Sequence, residues 1–263
     1  MEGIMKKAAV ILLLIFLIAG LSCTDNPTRP QKARFQLFIQ DASAPFDSIF
    51  ISILEIAIRP NAHYQDSLSG WNILYNVPTS FDLAKLRNGR REQLVDQDIS
   101  TGSYNVMRIK FGGCHAVRND SLYSLDFPNA SNSIVIDSGY VRVTSGKTTT
   151  ALVDINLYST ISYNHDSSYY FNPRFEFIDI DSSGGMDGFI IPSADIYLVQ
   201  DSDTLAMTST EPDNYFGFFG LPEGYYSIFI FPDDTNYRDW EVVDIPVHAD
   251  TSFDLGTIEL PPR

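Results

Sequence analysis

Few side chains in this sequence are spaced for chemistry. The four histidines, His63, His115, His165 and His248, stand far apart, with no cysteine or carboxylate at a metal-ligand spacing. No H-E-x-x-H, G-x-S-x-G, phosphate-loop or dinucleotide-binding pattern is present. Triads assemble from distant positions, so spacing alone does not exclude a hydrolase, but no nucleophile or paired-carboxylate arrangement can be named. The expectation is a protein that is not an enzyme and needs no cofactor. One acidic stretch comes nearest to a metal loop: Asp179, Asp181 and Asp187, around Gly184, set carboxylates before a tight glycine turn as a calcium loop does. Ile190 stands where a bidentate glutamate would close such a site, so a solvated acidic hinge is the preferred reading.

Aromatic rings offer a second chemistry, because flat faces flanked by polar groups bind sugars. Trp71, Tyr75, Tyr237 and Trp240 form the candidate platform, with Asp233, Asp234 and Asn236 close to the last two, and Tyr169 and Tyr170 as further rings. The competing reading packs these rings into cores and rims. Asp154 and Asn156 share a strand face and could line a groove, although the wet side of a sheet is preferred. Cys114 reads as a buried, inert thiol rather than a nucleophile.

The elements that must carry these residues are strands. Phe35, Leu37 and Ile39 alternate with Gln36 and Gln40, and Ala151, Val153, Ile155 and Leu157 alternate with Asp154 and Asn156. Ile49, Ile51 and Ile53 share a face, and then the pattern changes phase to Leu54, Ile56 and Ile58, which predicts a β-bulge near Ile53-Leu54. Further strands are expected over 71–75, 104–111, 140–144 and 175–180, with one helical turn within 82–87. After a glycine-rich break at 181–188, taken as a linker, seven more are expected: 190–191, 195–199, 204–208, 215–219, 225–231, 240–247 and 252–260. This pattern predicts an all-β chain of two tandem antiparallel β-sandwich domains, 34–180 and 189–263. A faint internal echo links Gly102-Ser103-Tyr104 to Gly224-Tyr225-Tyr226, each followed by a hydrophilic turn between two more strands. Tandem related sandwiches and generic turn chemistry both explain it.

At the N-terminus, Lys6-Lys7 precede an apolar run from Ala8 to Leu21 and then Ser22-Cys23. That run is too short to span about 30 Å of hydrocarbon, which takes ~20 residues, so it reads as an export signal over 1–22. It resembles the bacterial lipoprotein signal, which implies lipidation of Cys23 and attachment to the outer membrane or cell surface. Residues 23–33, with Pro27 and Pro30, suit an extended tether. If Cys23 carries lipid, Cys114 has no partner, so buried apolar surface and not a disulfide framework must hold the fold. The net charge of −15 repels phosphate backbones, which argues against a nucleic-acid partner.

Two resemblances cover most of the chain. Leu37 to Asp47, Gly70-Trp71, Phe81-Asp82-Leu83, Gly102-Ser103-Tyr104, Met107-Arg108-Ile109 and Asn172 to Phe175 together resemble DUF4382, a bacterial and archaeal domain of unknown function. Ala194 to Leu198, Tyr215 to Tyr226 and Leu255 to Leu260 resemble the carboxypeptidase regulatory-like, or transthyretin-like, family, whose members are mostly non-catalytic modules of surface proteins. Together they imply a non-enzymatic envelope lipoprotein with a structural, adhesive or ligand-binding role, a glycan or surface protein being the partner. The alternative is a fimbrial subunit built by β-strand addition, with Ser252 to Leu260 as the donor strand.

Overall fold

The computed structural model describes residues 31–42, 46–60, 70–127, 132–137, 139–163, 169–172 and 174–263. The export segment, Cys23, most of the tether, His63 and His165 lie outside them. The chain is all-β. A first set of strands comprises β1 (Lys32–Ala42), β2 (Ser48–Arg59), β3 (Asn72–Tyr75), β4 (Thr79–Asp82), β5 (Glu92–Ser100), β6 (Gly102–Tyr104) and β7 (Val106–Arg118). It continues through β8 (Ser121–Asp126), β9 (Ser133–Ile136), β10 (Val141–Val143), β11 (Thr149–Asn156), β12 (Ile161–Tyr163), β13 (Tyr169–Phe171) and β14 (Phe175–Asp179). The second set is β15 (Gly184–Ile191), β16 (Ala194–Gln200), β17 (Asp203–Ser209), β18 (Tyr215–Leu221), β19 (Gly224–Pro232), β20 (Trp240–Val247) and β21 (Ser252–Glu259).

In the first unit the sheet β14-β11-β1-β5 packs against β12-β13-β8-β7-β2-β3, and one apolar cluster from Ala33 to Phe177 fills the space between. In the second, β18-β15-β21 packs against β17-β16-β19-β20 around a separate cluster from Met186 to Leu260. The predicted bulge in β2 is present. Ile51 pairs with Cys114, Ile53 with Phe111 and Glu55 with Lys110, so the register slips on both sides of Ile53. Burial then passes from Ile49, Ile51 and Ile53 to Ile56 and Ile58. A short 3-10 turn, Leu83–Lys85, occupies the expected helical position.

The internal echo has a structural counterpart. Tyr104 donates its hydroxyl to the Ser100 carbonyl and Tyr226 to the Pro222 carbonyl, each at 2.8 Å and four residues back, the geometry of a tyrosine corner. Gly102 and Tyr104 pair with Val143 and Val141, and Gly224 and Tyr226 with Val247 and Ile245. The wider pairing also repeats. β1 lies parallel to β11 and antiparallel to β5, as β15 does to β21 and β18, and β2 pairs with β7 as β16 pairs with β19.

Three expectations need correction. Lys32 and Ala33 belong to β1 and not to the tether, because Lys32 pairs with Ser100, Ala33 pairs with Ile99, and Ala33 is buried. The glycine-rich stretch 181–188 is no flexible linker, since a 3-10 turn at Ile180–Ser182 leads straight into β15, the central strand of its sheet. Its glycines serve close approach: a Cβ on Gly184 would lie 2.2 Å from the His248 carbonyl oxygen, and one on Gly188 2.8 Å from that of Gly256. Asp154 and Asn156 are not a wet face either. The second unit covers that side of the sheet, where Gln40 donates to the Phe219 carbonyl at 2.9 Å, Asn156 donates to that of Leu205, and Gly220 packs on Leu152 and Ile178.

At the joint, Asn88 enters the second unit and uses its whole amide. Nδ2 donates to the Ser209 carbonyl (3.1 Å) and to Glu211 Oε1 (3.0 Å), while Oδ1 accepts from Thr208 Oγ1 (2.7 Å) and the Gly217 amide (3.2 Å). Arg87 Nε and Arg90 Nη2 each donate to the buried Glu211 carboxylate at 3.0 Å. Asn88 and Gly89 both have positive φ, and a Cβ on Gly89 would come within 2.6 Å of the Phe219 ring. Burial alone would push the Glu211 carboxyl up, but the Asn88 amide and the two guanidiniums outweigh it and hold it below its ordinary value of 4.5.

Asn88→Ala should therefore lower the unfolding free energy by roughly 2–4 kcal/mol, read from urea denaturation at pH 6, because it leaves several buried partners unpaired. An unchanged midpoint would contradict the assignment. With its folded value depressed, Glu211 contributes stability that is present above its unfolded value and lost as pH falls through the folded one. Glu211→Gln should flatten the acid limb of the melting-temperature profile.

Candidate ligand-binding groove

On β19 the inner positions Tyr226, Ile228 and Ile230 are buried, whereas Tyr225, Phe229 and Phe231 alternate onto the opposite face. Tyr197 on β16 lies in register with Phe229, and its ring meets Phe231 edge-on with centroids 5.4 Å apart. Tyr225 is 68% exposed and Phe231 44%. These rings line an open groove of about 790 Å³, whose polar rim comes from Gln200, Asp201 and Ser202 at the β16–β17 turn and from Asp244 on β20. A neighbouring recess shares Phe229 and Phe231 and extends to Asp239, Trp240 and Glu241. The arrangement can stack an apolar ring face on aromatics and accept hydroxyl hydrogens at its edge, which is the chemistry of recognition.

The four expected platform residues do not form one site. Trp71 and Tyr75 belong to the first unit. The guanidiniums of Arg59 and Arg108 lie 4.7 and 4.4 Å from the Trp71 ring centroid, and Tyr75 packs on the core. Tyr237 packs half-buried on the second core and accepts from Arg263 Nε at 2.9 Å, so it pins the C-terminus. Asp234 accepts from the Asn236 backbone and side chain and is spent on its own turn. Trp240, 47% exposed, reaches the groove's margin. Tyr197, Tyr225, Phe229 and Phe231 were missed as a group. Their signal is aromatic alternation on a strand whose other face is already apolar.

The calcium candidates are also dispersed. Asp179 Oδ1 accepts from the Asp181 amide at 3.2 Å, and Asp187 on β15 accepts from the Ser252 and Tyr215 hydroxyls. Burial, and then the Asp187 carboxylate, push the Tyr215 hydroxyl up to about 12, so it remains a donor. Among the described residues no three His, Cys, Asp or Glu side chains converge as metal ligands. His115 stacks on Phe50, and His248 lies exposed 3.5 Å from Glu223. Burial pushes the Cys114 thiol upward, away from the reactive thiolate. Ser252 to Glu259 is already seated parallel to β15 and is not a free donor strand.

A family model described as Domain of unknown function (DUF4382) matches residues 32–173. No curated protein matches. Among solved structures, the TIE protein of Bacillus anthracis is 11% identical with a TM-score of 0.26, over 90% of this chain, which spans only 42% of that protein. A minor pilin of Streptococcus agalactiae is 12% identical at a TM-score of 0.24, covering 87% of this chain and 96% of the pilin. The major pilin subunit of Bacillus cereus is 10% identical at a TM-score of 0.29, covering 89% and 71%. At these TM-scores the likeness carries no argument about assembly or function.

The two tryptophans differ in surroundings, which gives a direct check. With Trp71→Phe, the fluorescence left from Trp240 should be quenched readily by acrylamide. With Trp240→Phe, the remaining Trp71 emission should be quenched several-fold less. Equal quenching would contradict the shielding of Trp71.

Proposed function

The chain belongs to the DUF4382 family, and from that premise we propose a non-enzymatic envelope protein, tethered by lipid on Cys23, whose second sandwich binds an extracellular saccharide. The observation that carries this reading is the row Tyr197, Phe229 and Phe231. The core behind it is complete without these rings, so packing does not account for three aromatics on that face. Their carboxylate, amide and hydroxyl rim suits a polyol, and the groove's volume falls within the ~300–1,000 Å³ range of small-molecule sites. The second unit is read as a carboxypeptidase regulatory-like module, supported by its seven-strand order and its Gly-x-Tyr corner. Lipid attachment is supported by the signal-like segment, two or three acyl chains being enough for stable anchoring. Surface-fibre assembly is the second reading. It is supported by β21, which stands at the end of its sheet and offers an edge for a partner strand.

A glycan array probed with the chain from Gln31 to Arg263 tests the proposal. A specific signal should appear and fall about tenfold or more in Phe229→Ala, the loss of ~1.4 kcal/mol expected of one stacked ring, while Trp71→Ala retains it. Silence across the array, or equal binding by Phe229→Ala, would overturn the groove as the site. Concentration-dependent polymers alongside a silent array would favour the fibre reading.

A further inference from the structure

Between the two units, Gln40, Asp154, Asn88, Thr208 and Phe219 enclose a void of about 40 Å³, room for a single water molecule. Gln40 is buried, and its Nε2 is committed to the Phe219 carbonyl, which leaves Oε1 as a buried acceptor with no partner in the chain. Asp154 sits beside it, in register with Gln40 on β1 and with Glu176 on β14. An ionised Asp154 can draw on the Gln40 amide but leaves Oε1 unserved, whereas a protonated one supplies an O–H to it.

We propose that this interdomain void is a proton-binding site: the units dock around a neutral Asp154 carboxyl, whose hydrogen serves the unpartnered Gln40 oxygen directly or through one water, and loss of that proton loosens the joint. The elements lining the void bring no cation to it. β1 presents Gln40, the turn Asn88 and Gly89, β17 Ala206 and Thr208, and β18 Gly217, Phe218, Phe219 and Leu221. The charge acting on Asp154 is the Glu176 carboxylate across the sheet, which opposes ionisation. Arg87 and Arg90 are turned to Glu211, and Arg91 lines a separate recess beside Leu152 and Gly220. Burial first, and then Glu176, push Asp154 up to about 7, against partial relief from the Gln40 amide and the Ile155 backbone.

The sign follows from linkage. The docked form keeps a proton that the open form, with its Asp154 carboxyl back in water, sheds at lower pH, so closure weakens by up to tenfold per pH unit until the docked form titrates near 7, and is flat above that. Glu211 loses its contribution only below 4.5, so from mildly acid to neutral solution the Asp154 proton governs the joint, which loosens as pH rises. The test uses the chain from Gln31 to Arg263, with scattering and the hydrogen-exchange protection of the Gly217 amide, corrected for intrinsic rate, followed from pH 5 to 8. Wild type should lose Gly217 protection and expand as pH rises. Asp154→Asn should remain protected throughout, and Glu176→Gln should retain protection to a higher pH than wild type. Should Asp154→Asn fail to fold, the Glu176→Gln displacement alone decides. A flat wild-type profile, an Asp154→Asn profile that follows wild type, or an unmoved Glu176→Gln profile would overturn the proposal.

Discussion

The Asn88 amide is the interaction on which the rest of the molecule's organisation depends. All four of its hydrogen-bonding positions are filled from the second unit, and Glu211 adds two guanidinium partners beside it. Such groups stabilise only while every partner is present, since each one left unpaired in a buried site costs about 1–3 kcal/mol. The constraint acts as an orientation lock more than as a store of energy. Two sandwiches with separate cores meet in a pose that satisfies all four positions of this amide.

That lock explains the chemistry of the covered sheet face. Buried Gln40 and half-buried Asp154 and Asn156 are polar because they meet another domain's backbone carbonyls and a small void. Fixing β17 and β18 from behind also steadies β16 and β19 through the sheet and the shared core. The aromatic groove therefore stands on a supported surface, on the side turned away from the buried Ile196, Ile228 and Ile230.

How much of this was legible depended on whether a residue's role lay within its own strand. The β2 phase change at Ile53 and the six strands from Ala194 onward follow from alternation, and the structure contains them, whereas most of Gly184–Ile191 was hidden by its glycines. β5 did not announce itself, because Glu92 to Ser100 is mostly polar and contributes only Leu94, Val95 and Ile99 to the core. Gly184 and Gly188 resembled a linker because a glycine needed for flexibility and one needed for close approach are the same letter. Asp154 resembled a solvated position because its partial burial comes from a chain segment more than fifty residues away. The groove's rings were readable from the alternation of β19 alone.

The central claim is that the two sandwiches form one body through the Asn88 joint. Residual dipolar couplings from both units, collected at pH 5.5 on the chain from Gln31 to Arg263, test it most directly. A single alignment tensor fitting both sets of amides is the predicted result. Two tensors of different magnitude, as independently moving domains would give, would contradict it.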